Sequence, residues 1–139
     1  MTADLSAVVE GAELPALSVR FDRERLVRYA GASGDFNPIH YSDHAARELG
    51  LDGCLAHGML TMGVALRVVT DWCGDPGRVR SYGVRFAKPV PVPDDGVGTT
   101  VVFAGRVTKI VDAVASVSLE ARCGEDKVLA AAVAEVSLA

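Results

Sequence analysis

With 139 residues, the chain has room for one domain with a sizeable core and too little for two. A net charge of −4 and a pI near 5.3 argue against a nucleic-acid binder, and no apolar run approaches the ~20 residues that a membrane helix requires. Half the residues are hydrophobic but only 6% are aromatic, so Val, Ala and Leu are expected to fill the core.

The N-terminus, Met1-Thr2-Ala3-Asp4-Leu5, lacks the basic and apolar regions of a secretory signal. Asp22 is placed to cap a helix running through Tyr29, with Glu24 in the first turn and Leu26, Val27 and Ala30 on one face. Gly31 and Gly34 then break it. The next stretch, Gly34-Asp35-Phe36-Asn37-Pro38-Ile39-His40, sets a carboxylate and an imidazole five residues apart on a segment that cannot be a helix. Pro38 removes a backbone donor and pushes Asn37 toward an extended or turn conformation. A bent, rigid segment can aim two side chains at one point, and an acid and a base so aimed can move two protons on one substrate. Ser42 or Asp43 caps a short helix, His44–Leu49, which Gly50 closes. From about His57 to Trp72 the chain is apolar on nearly every face, which predicts a helix wrapped by the rest of the protein.

Beyond Gly77 the signals change to strands: Val79–Ala87, Val97–Ile110, Ala113–Cys123 and Lys127–Leu138, all rich in Val with partial alternation. Turns separate them at Pro89–Gly96, near Val111-Asp112-Ala113, and at Gly124-Glu125-Asp126. The alanines of Leu129–Ala134 favour helix, but strand-like flanks on both sides assign the segment to a strand. The expected architecture is α+β: one domain over residues 1–139, its antiparallel sheet wrapped round one long central helix, with Asp35 and His40 on the N-terminal helical segment. Cys54, Cys73 and Cys123 are odd in number and lack C-x-x-C spacing, which fits reduced thiols in a cytoplasmic protein. His40, His44 and His57, with Asp43 and Cys54, could suggest a metal. His40 and His44 share a face only in a helix, which Pro38 opposes, so no metal is expected.

Three segments carry a family resemblance. Tyr29-Ala-Gly-Ala-Ser-Gly-Asp35-Phe-Asn37-Pro38-Ile-His40-Tyr-Ser-Asp43 resembles the signature of the MaoC-like, R-specific enoyl-thioester hydratases. Ala56-His57-Gly58-Met59-Leu60-Thr61-Met62-Gly63 and Val84-Arg85-Phe86-Ala87-Lys88-Pro89-Val90 are similar to two further family segments. The similarity spans nearly the whole chain and is nearest the small B subunits of mycolic-acid-type (3R)-hydroxyacyl-carrier-protein dehydratases.

The resemblance implies a hot-dog fold, working as a homodimer or as a heterodimer with a second hot-dog subunit. It implies reversible dehydration of (3R)-hydroxyacyl thioesters to trans-2-enoyl thioesters, on coenzyme A or an acyl carrier protein, without a cofactor. By match to the motif, His40 would be the base at C2 and Asp35 the acid and water anchor at C3. Asn37 would brace the bend or orient His40. Gly58, at the start of the buried helix, would offer its amide to the thioester oxygen, and His57 beside it would play a structural or supporting part at the substrate site. Arg85 and Lys88, with Arg78 and Arg80, would hold a phosphopantetheine or nucleotide phosphate or dock an acidic carrier, unless they form an ordinary solvated strand edge. Many relatives carry a small hydroxyl residue where this chain has Gly63, so one substrate-holding group is missing here. The competing expectations are a hot-dog thioesterase, a catalytic subunit inactive without its partner, and a subunit that only shapes the acyl tunnel.

Overall fold

Asp22 joins the first strand to the first helix: β1 (Glu13–Phe21) ends against it, and its carboxylate accepts the Arg25 N–H to start α1 (Arg23–Ser33). The computed structural model describes residues 2–139. β1 has no counterpart among the expected strands, because Pro15 lies inside it. A proline is tolerated on an edge strand, and β1 pairs only with β3, its register slipping between Leu14 and Leu17 where Pro15 lies. The α1 helix also outlasts its expected end at Tyr29, passing through Gly31 and stopping at Gly34 with φ 75°. A mid-helix glycine costs only about 1 kcal/mol, and the buried pair Leu26 and Ala30 holds the helix down. Val27, expected on that face, is exposed instead.

Pro38–His40 forms one turn of 3₁₀ helix, a departure from the expectation that no helix occurs here. Proline at a first helical position gives up an N–H that would have no partner anyway. The Asn37 side chain completes the turn by accepting the Ile39 N–H. Ser42, rather than Asp43, caps α2 (Asp43–Glu48), and Gly50 follows it at φ 81°. The long helix α3 (Gly58–Cys73) buries Thr61, Val64, Ala65, Val68, Val69 and Trp72, but Met59, Gly63, Arg67 and Asp71 are exposed. Those four are spaced by one helical turn, so the wrapping is incomplete along a single stripe.

The remaining strands are β2 (Val79–Phe86), β3 (Thr99–Val111), β4 (Val114–Cys123), β5 (Asp126–Lys127) and β6 (Leu129–Ser137). They form one antiparallel sheet in the order β1-β3-β4-β6-β2, with β5 beside β4, and α3 packs across it. Asp112 and Ala113, at φ 49° and 57°, make the two-residue turn between β3 and β4. The alanine-rich segment is a strand, as expected. Ala131 at φ 45° makes an irregularity there, which lets Leu129 and Ala132 both face the core.

Phe21 and Phe103, ring centroids 6.4 Å apart, anchor a core made mostly of valines, alanines and leucines, with Trp72 of α3 also buried in it. Each valine, leucine or phenylalanine among them contributes roughly 1.5–3 kcal/mol when fully buried. The Tyr82 hydroxyl ties β2 to α3 by donating to the Met62 carbonyl at 2.8 Å, and burial pushes its pKa up to about 12. Among the described residues no helix is long and apolar enough to cross a membrane.

Candidate active site

The 3₁₀ turn hands His40 to the loop before α3. Its Nδ1 lies 2.7 Å from the Leu55 carbonyl, which can only accept, so Nδ1 carries the proton and Nε2 keeps its lone pair. That nitrogen faces Asp35 Oδ2 at 3.8 Å. The gap is too long for a direct hydrogen bond, yet one water or substrate oxygen can touch both groups. Asp35 Oδ1 is used locally, accepting the Asn37 N–H, while the Asp35 N–H donates to Ser33 Oγ. The His40 side chain is 9% exposed and that of Asp35 is 49% exposed. The pair therefore combines a fixed base with a carboxylate open to solvent. Asn37, exposed and committed to the turn, braces the bend.

His57 lies behind the pair. It is 1% exposed, stacks on His40 with ring centroids 3.7 Å apart, and brings Nε2 within 3.2 Å of the Asp35 carbonyl. Its burial leaves no surface to offer a substrate, which removes it from the expected substrate contacts. Burial also holds its imidazole below the ordinary pKa, so the ring is neutral. Tyr29 meets it edge-on at 4.8 Å.

Gly58 opens α3 with no capping side chain on the preceding residue, and its N–H has no acceptor among the described residues. It shares a cavity of about 300 Å³ with Ile39, His40, Thr61, Phe86 and Lys88. A Cβ added at Gly58 would stand 3.0 Å from the Phe86 ring, so the missing side chain is what lets that ring close over the helix start. Free amides at a helix N-terminus stabilise negative charge, and here they open into the cavity that holds the base.

The cationic residues divide. Lys88 lines the cavity but is paired with Asp126 at 2.7 Å. Arg85 is exposed on β2, outside the cavity wall, and Arg78 donates to the carbonyls of Ser137 and Ala139. A larger groove of about 760 Å³ between α1, β1 and α3 contains neither Asp35 nor His40. Of its four arginines, Arg20, Arg28 and Arg67 are each paired with an acid.

The histidine group weighed for a metal does not assemble, since His44 faces solvent beside Glu48. Asp35, His40 and His57 instead bring ligand atoms within 4.8 Å of one another. The two rings are stacked with only 22° between their planes, so their lone pairs do not converge on one ion. These residues do not fit a metal centre.

Sequence reasoning missed a hub beneath the site. Asp43 Oδ1 accepts from Arg23 at 2.6 Å and from the Cys54 N–H at 2.9 Å, and Arg23 Nε also donates to the Val92 carbonyl. Val92 N–H bonds the Cys54 carbonyl, and Leu55 N–H bonds the Ile39 carbonyl. The loop that presents the Leu55 carbonyl to His40 is thus tied to α1, α2 and the segment after β2. The Cys54 N–H, with the Arg23 guanidinium, lowers the Asp43 carboxyl to about 2. No motif marks this hub, because its members are scattered along the chain.

This sheet-and-helix frame, with a carboxylate and an imidazole beside the start of the central helix, is a hot-dog fold of the kind found in hydratases and dehydratases. The family description "MaoC like domain" matches residues 7–122. The chain belongs to the MaoC-like dehydratase family. It is 32% identical over 114 residues to the 3-oxo-4,17-pregnadiene-20-carboxyl-CoA hydratase beta subunit of Mycobacterium tuberculosis, covering 82% of this chain and 84% of that protein. It is 42% identical over 79 residues to 3-hydroxyacyl-thioester dehydratase X of the same organism, covering 57% of this chain and only 27% of that longer protein. A solved MaoC-like dehydratase superposes with a TM-score of 0.93 at 35% identity, over 99% of this chain and 43% of that one.

Proposed function

We propose that the chain catalyses reversible dehydration of (3R)-hydroxyacyl thioesters to trans-2-enoyl thioesters, carried on coenzyme A or an acyl carrier protein. The observation that carries this reading is the Asp35–His40 pair, 3.8 Å apart beside the unpaired Gly58 amide. In dehydration, the lone pair of His40 Nε2 takes the C2 proton and the C2–H electrons move onto the thioester oxygen, which the Gly58 N–H stabilises. They return to form the C2=C3 bond as the C3–O bond breaks. Asp35 delivers a proton to the leaving hydroxyl as the C3–O bond breaks, and water departs. Hydration reverses each step, with Asp35 taking a proton from the incoming water and His40 delivering one to C2. Asn37 keeps the turn in shape, and Lys88 on the cavity wall, with the exposed Arg85 three residues before it, would meet a phosphate-bearing carrier.

A second hot-dog unit completes the assembly in this proposal. The 84%-covered relative is by name a beta subunit, and the solved MaoC-like dehydratase has room in its chain for a second such unit. The outer edge of β2 and the exposed α3 stripe are surfaces left free to receive it. The free cysteines support placing the protein in the cytoplasm.

The test is turnover of a trans-2-enoyl thioester by Asp35→Asn and His40→Ala in the active assembly. Each should lose at least about a hundredfold in kcat, the usual contribution of a positioned proton-transfer group. Activity within a few-fold of the parent in both variants would refute the assignment.

A further inference from the structure

Little ties the acid to the body of the protein. Among the described residues, the hydrogen bonds of residues 34–37 run to Ala30, Ser33 and His40 or stay within the turn, with one exception, which runs from His57 Nε2 to the Asp35 carbonyl. The same imidazole lies flat against His40 at 3.7 Å. One buried ring therefore touches both members of the pair, holding the backbone of one and the side-chain plane of the other.

We infer that His57 is a positioning residue, a single neutral imidazole that sets the spacing between Asp35 and His40. Because a carbonyl only accepts, Nε2 carries the proton, and Nδ1 is left as a bare acceptor. Among the described residues that Nδ1 is buried with no protein partner, a feature that works against folding. A residue kept only to fill the core has no need of it, since a phenyl ring fills similar space without an orphaned nitrogen. An imidazole is required where stacking and donation must come from one ring. The place is also well chosen along the chain: His57 immediately precedes Gly58, so the group that spaces the acid and base also sets where the helix amide begins.

This inference rests on the Asp35–His40 reading, and its test separates the two. His57→Phe keeps the stacked face and loses the hydrogen bond; His57→Gln keeps a donor and loses the stack. Melting temperature, kcat and KM for a trans-2-enoyl thioester would be measured for both, beside Asp35→Asn. The expected result for His57→Phe is a melting temperature equal to or above the parent's, KM within about threefold, and kcat reduced by about ten- to a hundredfold, the scale of a misplacement near 1 Å. His57→Gln is expected to lower kcat without restoring the parent's value. A well-folded His57→Phe with parental kcat, while Asp35→Asn is inactive, would overturn the positioning role and leave the catalytic pair standing. A kcat that falls only in step with lost folded protein would overturn it equally. An active Asp35→Asn would instead refute the underlying reading.

Discussion

Gly58 brings two demands together on one residue. In the proposed reaction its amide must remain free for a developing oxyanion, and its bare Cα admits the Phe86 ring. A valine there keeps the amide but adds atoms where the ring and the thioester approach. Phe86 is half-exposed, so its ring can be displaced while the core holds. Gly58→Val should therefore lower kcat/KM by about 10²–10³, the equivalent of roughly 2.7–4 kcal/mol for one lost oxyanion contact. Melting temperature and assembly size should change little. Turnover within a few-fold of the parent would move the oxyanion donor elsewhere. At this scale the candidate pair could be read directly, because Asp35, Asn37, Pro38 and His40 lie on one short segment whose bend follows from local sterics. His57 could be noticed but not interpreted. Its contact with His40 depends on how the loop before α3 folds back over the turn, which no local pattern encodes.

Among the elements, the Arg23–Asp43–Cys54 hub decides whether the loop bearing Leu55 stays against His40. The Asp43 carboxyl is lowered from 3.8 to about 2, so its ionised form is favoured in the folded state. Its contribution to stability is present above the unfolded value and is lost as pH falls through about 2. Asp43→Asn should melt below the parent at neutral pH, with the two curves converging between about pH 4 and 2; a constant offset down to pH 2 would contradict the ionic role. Element boundaries show what sequence patterns miss. Pro15 concealed β1, since a proline penalises a central strand but not this edge strand with its slipped register. Gly31 concealed the end of α1, since the burial of Leu26 and Ala30 outweighs a single glycine. The strand at Leu129–Ala134 was legible despite its alanines, because valine-rich flanks placed it in the sheet.

For the whole molecule, the sheet round a central helix followed from one apolar helical run and several valine-rich segments. Full wrapping did not: the line Met59, Gly63, Arg67 and Asp71 stays open in the single chain. An average over helix faces hides a one-residue-per-turn stripe, and Met59 and Gly63 carry no charge to mark it. The frame sets Asp35 Oδ2 3.8 Å from the His40 ring, which lines the cavity beside Gly58, so in the proposed reaction both work on the same face of the substrate. The most direct measurement is hydration of a trans-2-enoyl thioester in deuterium oxide by the active assembly, with the stereochemistry of both new centres determined. The expected product is a single (3R)-hydroxyacyl thioester whose C2 deuteron and C3 hydroxyl were added to the same face. Addition to opposite faces, a (3S) product, or release of free thiol would contradict the account.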